Sequence, residues 1–272
     1  MTTSDELQRR CEVARDLARR VGRQALQWRQ DRQEAGAEAR LKGPQDFVTA
    51  ADGEAEEMLR RELSSAFPHD GFLGEESGGG QGAAGTWVVD PIDGTANFMR
   101  ALPEWAVSLA HVEGGRVRLG VVYDAPHDKV YWAAEGQGAF VEDTPLRAVR
   151  RVETSRALVM LGRSNRTSLA GYIDVIQALQ AHGAEHRRFG AAAMGLVRVA
   201  EGSVDAFFEA SLNCWDALAG LLIAAEAGAV ALAPPLQGFL AAPGPVLAGA
   251  PEIVTLLSGC VPEQLAGAER MG

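Results

Sequence analysis

The chain has 272 residues, 47% hydrophobic and 23% charged, enough for one large core or two closely packed halves and too apolar for a disordered chain. Its formal net charge of -10 argues against a nucleic-acid surface. Cys11, Cys214 and Cys260 are too few and too scattered for a zinc site or a disulfide framework and read as reduced, buried thiols. The longest apolar runs, such as Ala217 to Ala225, stop short of the roughly 20 residues that cross a bilayer, and the start, with Asp5, Glu6 and Arg9, does not read as a secretory signal. The expectation is a cytoplasmic protein. An anionic substrate on so acidic a chain would call for a metal ion to cancel its charge.

Leu7, Cys11, Ala14, Ala18, Val21, Ala25 and Trp28 alternate spacings of four and three, the buried face of a long amphipathic helix. From Asp31 to Gln45 that period is lost, and Gly36, Gly43 and Pro44 make the stretch read as a mobile connection of the kind that serves as a lid. Thr49, with Asp52 three residues on, opens a second helix to about Phe67, and Glu54, Glu56 and Glu57 suit its positive N-terminus. The spacing Gly80-x-Gly82-x-x-Gly85 imitates a dinucleotide fingerprint, but a strand-like run, Thr86 to Asp90, follows where that motif needs a helix.

Trp105 to Val112, Arg116 to Tyr123 and Lys129 to Ala134 read as an antiparallel meander. After about Arg150 the pattern becomes layered α/β: strand-like 157–161, helix-like 169–181 and 191–200, strand-like 204–209 and helix-like 215–227. Residues 1–150 thus form an α+β half with the metal-binding segment, and 151–272 an α/β half that completes a shared site.

The chemistry concentrates in Trp87-Val-Val-Asp-Pro-Ile-Asp-Gly-Thr-Ala-Asn-Phe98. A hydrophobic strand delivers Asp90, Pro91 turns the chain, and Asp93 returns a second carboxylate before Gly94-Thr95 open a helix whose N-terminus suits phosphate. The Ile92 carbonyl lies between the two acids, and such oxygens suit a hard cation. Alone, Asp-Pro-x-Asp-Gly is equally an ordinary turn. Gly74-Glu75-Glu76-Ser77 upstream and Trp215-Asp216 downstream add acids, although Asp216 also suits a helix N-terminus on its own.

Together, Gly-Glu-Glu-Ser, the segment 87–98 and Trp-Asp-Ala-Leu-Ala-Gly from Trp215 resemble the signatures of the inositol monophosphatase family, over roughly residues 7–230. The resemblance implies an αβαβα layered sandwich, a homodimer, and lithium-sensitive, Mg²⁺-dependent hydrolysis of a small phosphate monoester, inositol monophosphate first, with two or three ions per site. It implies Glu75, Asp90, the Ile92 carbonyl, Asp93 and Asp216 as metal ligands, and Thr95 backed by Asp52 as the pair that, with Glu75, activates water. Gly94 and Thr95 would hold phosphate, Lys42 would sit on the mobile loop, and Ala192, Glu209 and Asp93 would meet the substrate. Histidinol phosphate, fructose 1,6-bisphosphate or adenosine 3',5'-bisphosphate are alternative substrates, and a non-catalytic dimeric scaffold is a further alternative. The chain departs from the family at Ala191, a position often threonine or serine, at Asn213, histidine in animal enzymes, and at Ala229, where a second glycine is usual; the tail after Ala233, with Pro234, Pro235, Pro243 and Pro245, resembles the family least.

Overall fold

The structure is a computed structural model that describes residues 4–35, 40–43, 46–48, 50–148 and 151–271. The periodic apolar face from Leu7 forms α1 (Ser4–Ala35), which continues beyond Asp31, where the apolar period ends. Arg, Gln, Glu and Ala sustain a helix by propensity without needing an apolar period, so the expectation that the connection begins at Asp31 is corrected there. It is corrected again at β1 (Arg40–Gly43), which pairs antiparallel with β2 (Asp46–Val48). Thr49 and the side chain of Lys42 lie outside the described residues. α2 (Ala50–Ala66) buries Ala51, Asp52, Ala55, Glu56, Leu59 and Leu63 along one face.

Eight strands then build the first sheet: β3 (Asp70–Gly74), β4 (Gly78–Gly80), β5 (Gly85–Asp93), β6 (Ala106–Glu113), β7 (Arg116–Asp124), β8 (Lys129–Ala134), β9 (Ala139–Val141) and β10 (Thr144–Pro145), with the short helix α3 (Thr95–Met99) between β5 and β6. Their order is β10-β9-β8-β7-β6-β5-β3-β4, and only β3 and β5 run parallel. The meander read from the sequence is β6, β7 and β8. The glycine-rich stretch is a short edge strand that leads into β5, so no helix follows it.

The second half contributes β11 (Leu158–Leu161), α4 (Leu169–Ala181), β12 (Glu185–Arg187), α5 (Ala192–Glu201), β13 (Ala206–Leu212), α6 (Cys214–Glu226), β14 (Val230–Ala233), α7 (Leu236–Phe239), β15 (Gly244–Gly249), α8 (Pro251–Cys260) and β16 (Glu269–Arg270). The second sheet has the order β12-β11-β13-β15-β14-β16. Strand alternation assigns its residues to two sides. Met160 and Phe207 pack into the core around α5 and α6, while Val159, Leu161, Ala206 and Phe208 pack with α4 and α8. In the first sheet Val88 joins the α5/α6 core, and Trp87 and Val89 join that of α1 and α2. The layers are therefore α1/α2, first sheet, α5/α6, second sheet and α4/α8, an αβαβα sandwich. The proline-bearing tail supplies β15, an interior strand of the second sheet, so its divergence from the family does not make it irregular. Cys11 and Cys214 are buried thiols as expected, whereas Cys260 is exposed at the end of α8. Among the described residues no helix is long and apolar enough to cross a membrane.

Where α1 meets the first sheet, a buried charge is fully answered. The guanidinium of Arg10 donates to both oxygens of Asp70, at 3.1 and 3.0 Å, Trp87 Nε1 donates to the same carboxylate at 3.0 Å, and His111 Nε2 lies 3.3 Å away. Burial pushes the Asp70 carboxyl up, but the hydrogen bonds from His111 and Arg10 outweigh it and hold it at about 2. Asp70→Asn should destabilise the protein by about 3 kcal/mol at neutral pH, because it removes the buried charge that answers Arg10 and leaves the guanidinium with Glu6 alone, at 2.8 Å. Since the folded pKa of Asp70 lies below its ordinary 3.8, its stabilisation is present above that value and is lost as pH falls towards 2. Urea denaturation should therefore show the gap between wild type and Asp70→Asn closing between about pH 4 and 2.

Candidate active site

β5 ends in a bulge that creates the site. Asp90 pairs with Ser108 and Asp93 with Ala106, so three steps along β5 match two along β6. In a regular strand residues three apart face opposite sides; the extra residue cancels that, and both acids face the α5/α6 layer, as Ala106 does. Pro91 has no N–H to donate to a ladder, which suits it to the bulge. The turn is locked by the Ile92 N–H, which donates to Asp90 Oδ1 at 2.9 Å.

Two further acids converge on this edge. Glu75 follows β3, with its N–H on the Val89 carbonyl at 3.1 Å, so its loop is tied to β5. Asp216 lies in the first turn of α6, where Asn213 donates from both its backbone N–H and its side-chain Nδ2 to Asp216 Oδ2, each at 3.2 Å. One oxygen each from Glu75, Asp90 and Asp216 lies within 4.8 Å of the others. Burial drives the Asp90 carboxyl well above its ordinary value, reinforced by the charges of Glu75, Asp216 and Asp93. Burial also raises Asp216, and it lifts Asp93 to about 7 with help from Asp216 and against the N–H groups of Ala192, Ala193 and Met194. Such a crowd of hard oxygens is costly as anions and fits a divalent cation of the Mg²⁺ type, with the Ile92 carbonyl on the same bulge.

Beside these acids Thr95 Oγ1 lies 3.1 Å from Asp52 Oδ1 and 3.1 Å from the Ile92 carbonyl. Gly94, at φ 90°, is the N-cap of α3, so Thr95 is the first helical residue and its hydroxyl does not cap the helix. The hydroxyl has one proton and two acceptors within reach, and its lone pairs remain available to a further donor. Asp52 is buried in α2 and serves this contact, beyond any effect on its own helix.

Asp93 carries a second task. Its Oδ1 accepts from Ala192 N at 3.1 Å and its Oδ2 from Ala193 N at 2.8 Å. Ala191, the N-cap of α5, has no side-chain acceptor, and the carboxylate from the other half answers those orphan donors. The Ala192 N–H is thus engaged by Asp93, while Ala192, expected to meet the substrate, lines a cleft of about 170 Å³ with Asp93, Asp216 and Glu209. Glu209 is buried there, and its carboxyl is lifted to about 8 by burial and by the charges of Asp216 and Asp93.

Three positioning residues escaped the motif reading. Glu56, expected to serve the α2 N-terminus, accepts instead from the N–H groups of Glu76 at 2.7 Å and Ser77 at 3.0 Å and from the Ser77 hydroxyl, clamping the loop that bears Glu75. A Cβ on Gly74 would come within 2.3 Å of Glu56 Oε2, so the glycine makes room for the clamp. Asn97 donates to the carbonyls of Glu104 and Phe189, both at 2.7 Å, and stitches the two halves together beside the cleft. Asn213 orients Asp216, which gives the departure from histidine a structural role. The spacing of Asn213 and Asp216 offers a capping pattern; the contacts of Glu56 with Glu76 and of Asn97 with Phe189 span 20 residues or more and left no local signal.

The chain matches the model of the inositol monophosphatase family over residues 6–262. It is 39% identical to an inositol-1-monophosphatase of Mesorhizobium japonicum over 192 residues, 69% of this chain and 72% of the relative, and 38% identical over 197 residues to a Nus factor SuhB of Salmonella typhimurium, covering 71% and 74%. Among solved structures it resembles the extragenic suppressor protein suhB of Bartonella henselae, with a TM-score of 0.83 and 33% identity over 90% of this chain and 95% of the other. An inositol monophosphatase from Anabaena gives 0.79 and 29% over 96% and 98%. With that match over nearly the whole chain, the chain belongs to the inositol monophosphatase family.

Proposed function

We propose that this protein is a Mg²⁺-dependent phosphatase of small polyol phosphates, inositol monophosphate among them. The observation that carries this is the convergence of Glu75, Asp90 and Asp216 next to the Thr95–Asp52 hydrogen bond. Glu75, Asp90, the Ile92 carbonyl, Asp93 and Asp216 would hold the cation. When bound, Mg²⁺ supplies charge neutralisation for the phosphoryl oxygens and lowers the pKa of the attacking water.

The chain's own residues then handle the proton. Water donates to Thr95 Oγ1 while the Thr95 proton passes to Asp52, the oxygen attacks phosphorus in line with the ester bond, and that bond breaks; the leaving alkoxide takes a proton from a second water as Asp52 returns its own to solvent, which releases alcohol and phosphate. The helical hydrogen bonds of α3 begin with the N–H groups of Asn97 and Phe98 on the Gly94 carbonyl, at 2.9 Å each, and the N–H groups of Gly94 and Thr95, which precede them, would hold the phosphate as the resemblance implies. Glu209, across the cleft, offers an acceptor to a substrate hydroxyl. A homodimer and lithium sensitivity accompany this proposal on the family resemblance alone, and a cytoplasmic location on the sequence reading of the apolar runs and the first residues. Some relatives bear the name Nus factor SuhB, which keeps a non-catalytic dimeric scaffold as the second reading, but a scaffold has no physical need for mutually repelling acids.

Phosphate release should require Mg²⁺ and stop in excess chelator; full turnover without divalent cation would overturn the proposal. Thr95→Ala should lower kcat by about 10²-fold with Mg²⁺ dependence nearly unchanged. Thermal melting on the same sample checks folding, and a stable variant with wild-type turnover would remove Thr95 and Asp52 from the chemistry. Glu56→Gln, which weakens the clamp on the Glu75 loop, should raise the Mg²⁺ concentration for half-maximal activity by about tenfold and change kcat at saturating Mg²⁺ far less.

A further inference from the structure

The second sheet carries a cavity on the face turned away from the catalytic cleft. Along β13, Phe207 and Glu209 line the cleft, whereas Phe208 and Ala210 line a separate space of about 460 Å³ beside the first turns of α4 and the segment Pro262–Leu265. Tyr172, Val175 and Pro245 extend its apolar walls. A volume of that order with mainly apolar walls and a few polar groups is typical of small-molecule sites.

The charged and orphaned groups of this cavity are all acceptors. Gln264 Oε1 is buried with no hydrogen-bond partner. Asp174 and Glu263, both exposed, add two carboxylates, and among the described residues neither is ion-paired. No Lys, Arg or His lines the space. Its neighbouring hydroxyls are already engaged: Thr167 Oγ1 donates to the Ser164 carbonyl at 3.0 Å, and Ser168 Oγ accepts from the Gly171 N–H at 3.0 Å.

A buried amide oxygen without a donor bears the desolvation cost of that group, which a ligand N–H removes. A charged donor gains more, because Asp174 and Glu263 attract it and its hydrogen bond to Gln264 is charge-assisted. An apolar body on the same molecule would cover Tyr172 and Phe208. An anion could use the N–H groups at the start of α4, but both carboxylates oppose it.

We propose that this cavity is a binding site for a small organic cation, an amine with an aromatic or branched apolar body, separate from the catalytic cleft. It uses none of the residues assigned to metal or phosphate and stands independently of the phosphatase proposal.

Titration calorimetry on the full chain tests it, with phenethylamine as the probe and 2-phenylethanol as its uncharged counterpart. Excess Mg²⁺ is present to keep the amine from Glu75, Asp90 and Asp216. The amine should saturate one site with a dissociation constant of about 1 mM or tighter, and bind about tenfold tighter than the alcohol. Gln264→Leu should weaken it by about tenfold and Glu263→Gln by about threefold, while Glu209→Gln in the cleft leaves it unchanged. Thermal melting checks that each variant folds; if Gln264→Leu does not, Glu263→Gln and Asp174→Asn, both at exposed positions, decide. Absence of saturable binding, binding unaffected by the cavity variants, or loss confined to Glu209→Gln would overturn the proposal. So would displacement of the amine by 3-phenylpropionate, which would assign the cavity to anions.

Discussion

Two hydrogen bonds, from the N–H groups of Ala192 and Ala193 to the carboxylate of Asp93, join the first sheet to the central helical layer at the point where the chemistry is concentrated. Their existence depends on the bulge between Asp90 and Asp93, which turns both acids to the same side of β5. Remove the extra residue and Asp93 would face α1 and α2, leaving the N-terminus of α5 uncapped and the acidic site without one of its walls. Asn97, one turn further on, repeats the stitch with its bonds to the Glu104 and Phe189 carbonyls. The two halves are thus held in register by polar groups that also build the site.

The protein treats buried acids in two opposite ways. At Asp70 the charge is met by Arg10, Trp87 and His111, and the carboxyl is held at about 2. At Asp90 burial and three neighbouring acids drive the carboxyl upward. The first arrangement stabilises the fold as it stands, and the second stores an electrostatic demand that a divalent cation satisfies. Positioning bonds from Glu56 and Asn213 keep the acids of the second arrangement together in spite of their repulsion.

The long helix, the meander and the alternating second half were legible because burial imposes a period of 3.6 on helices and of 2 on strands, and residues such as Leu7, Ala14 and Val21 follow it. The end of α1 was not legible from periodicity, since the residues after Asp31 form helix by propensity with no apolar stripe to announce it. Cys260 was misplaced as buried for a related reason: a single small residue near a helix end carries no period of its own.

The segment from Trp87 to Phe98 by itself determined that two acids, a carbonyl and a hydroxyl would meet, because proline, glycine and the strand before them leave the backbone few other courses. What only the tertiary structure decided is which distant groups complete that meeting. Glu56 beneath Glu75, Asp52 beside Thr95 and Asp93 across to Ala192 are separated in the chain and adjacent in space. Local sequence constrains a residue's own dihedral angles and the face it presents, whereas a hydrogen bond between separate elements depends on how whole layers pack, which no single segment encodes.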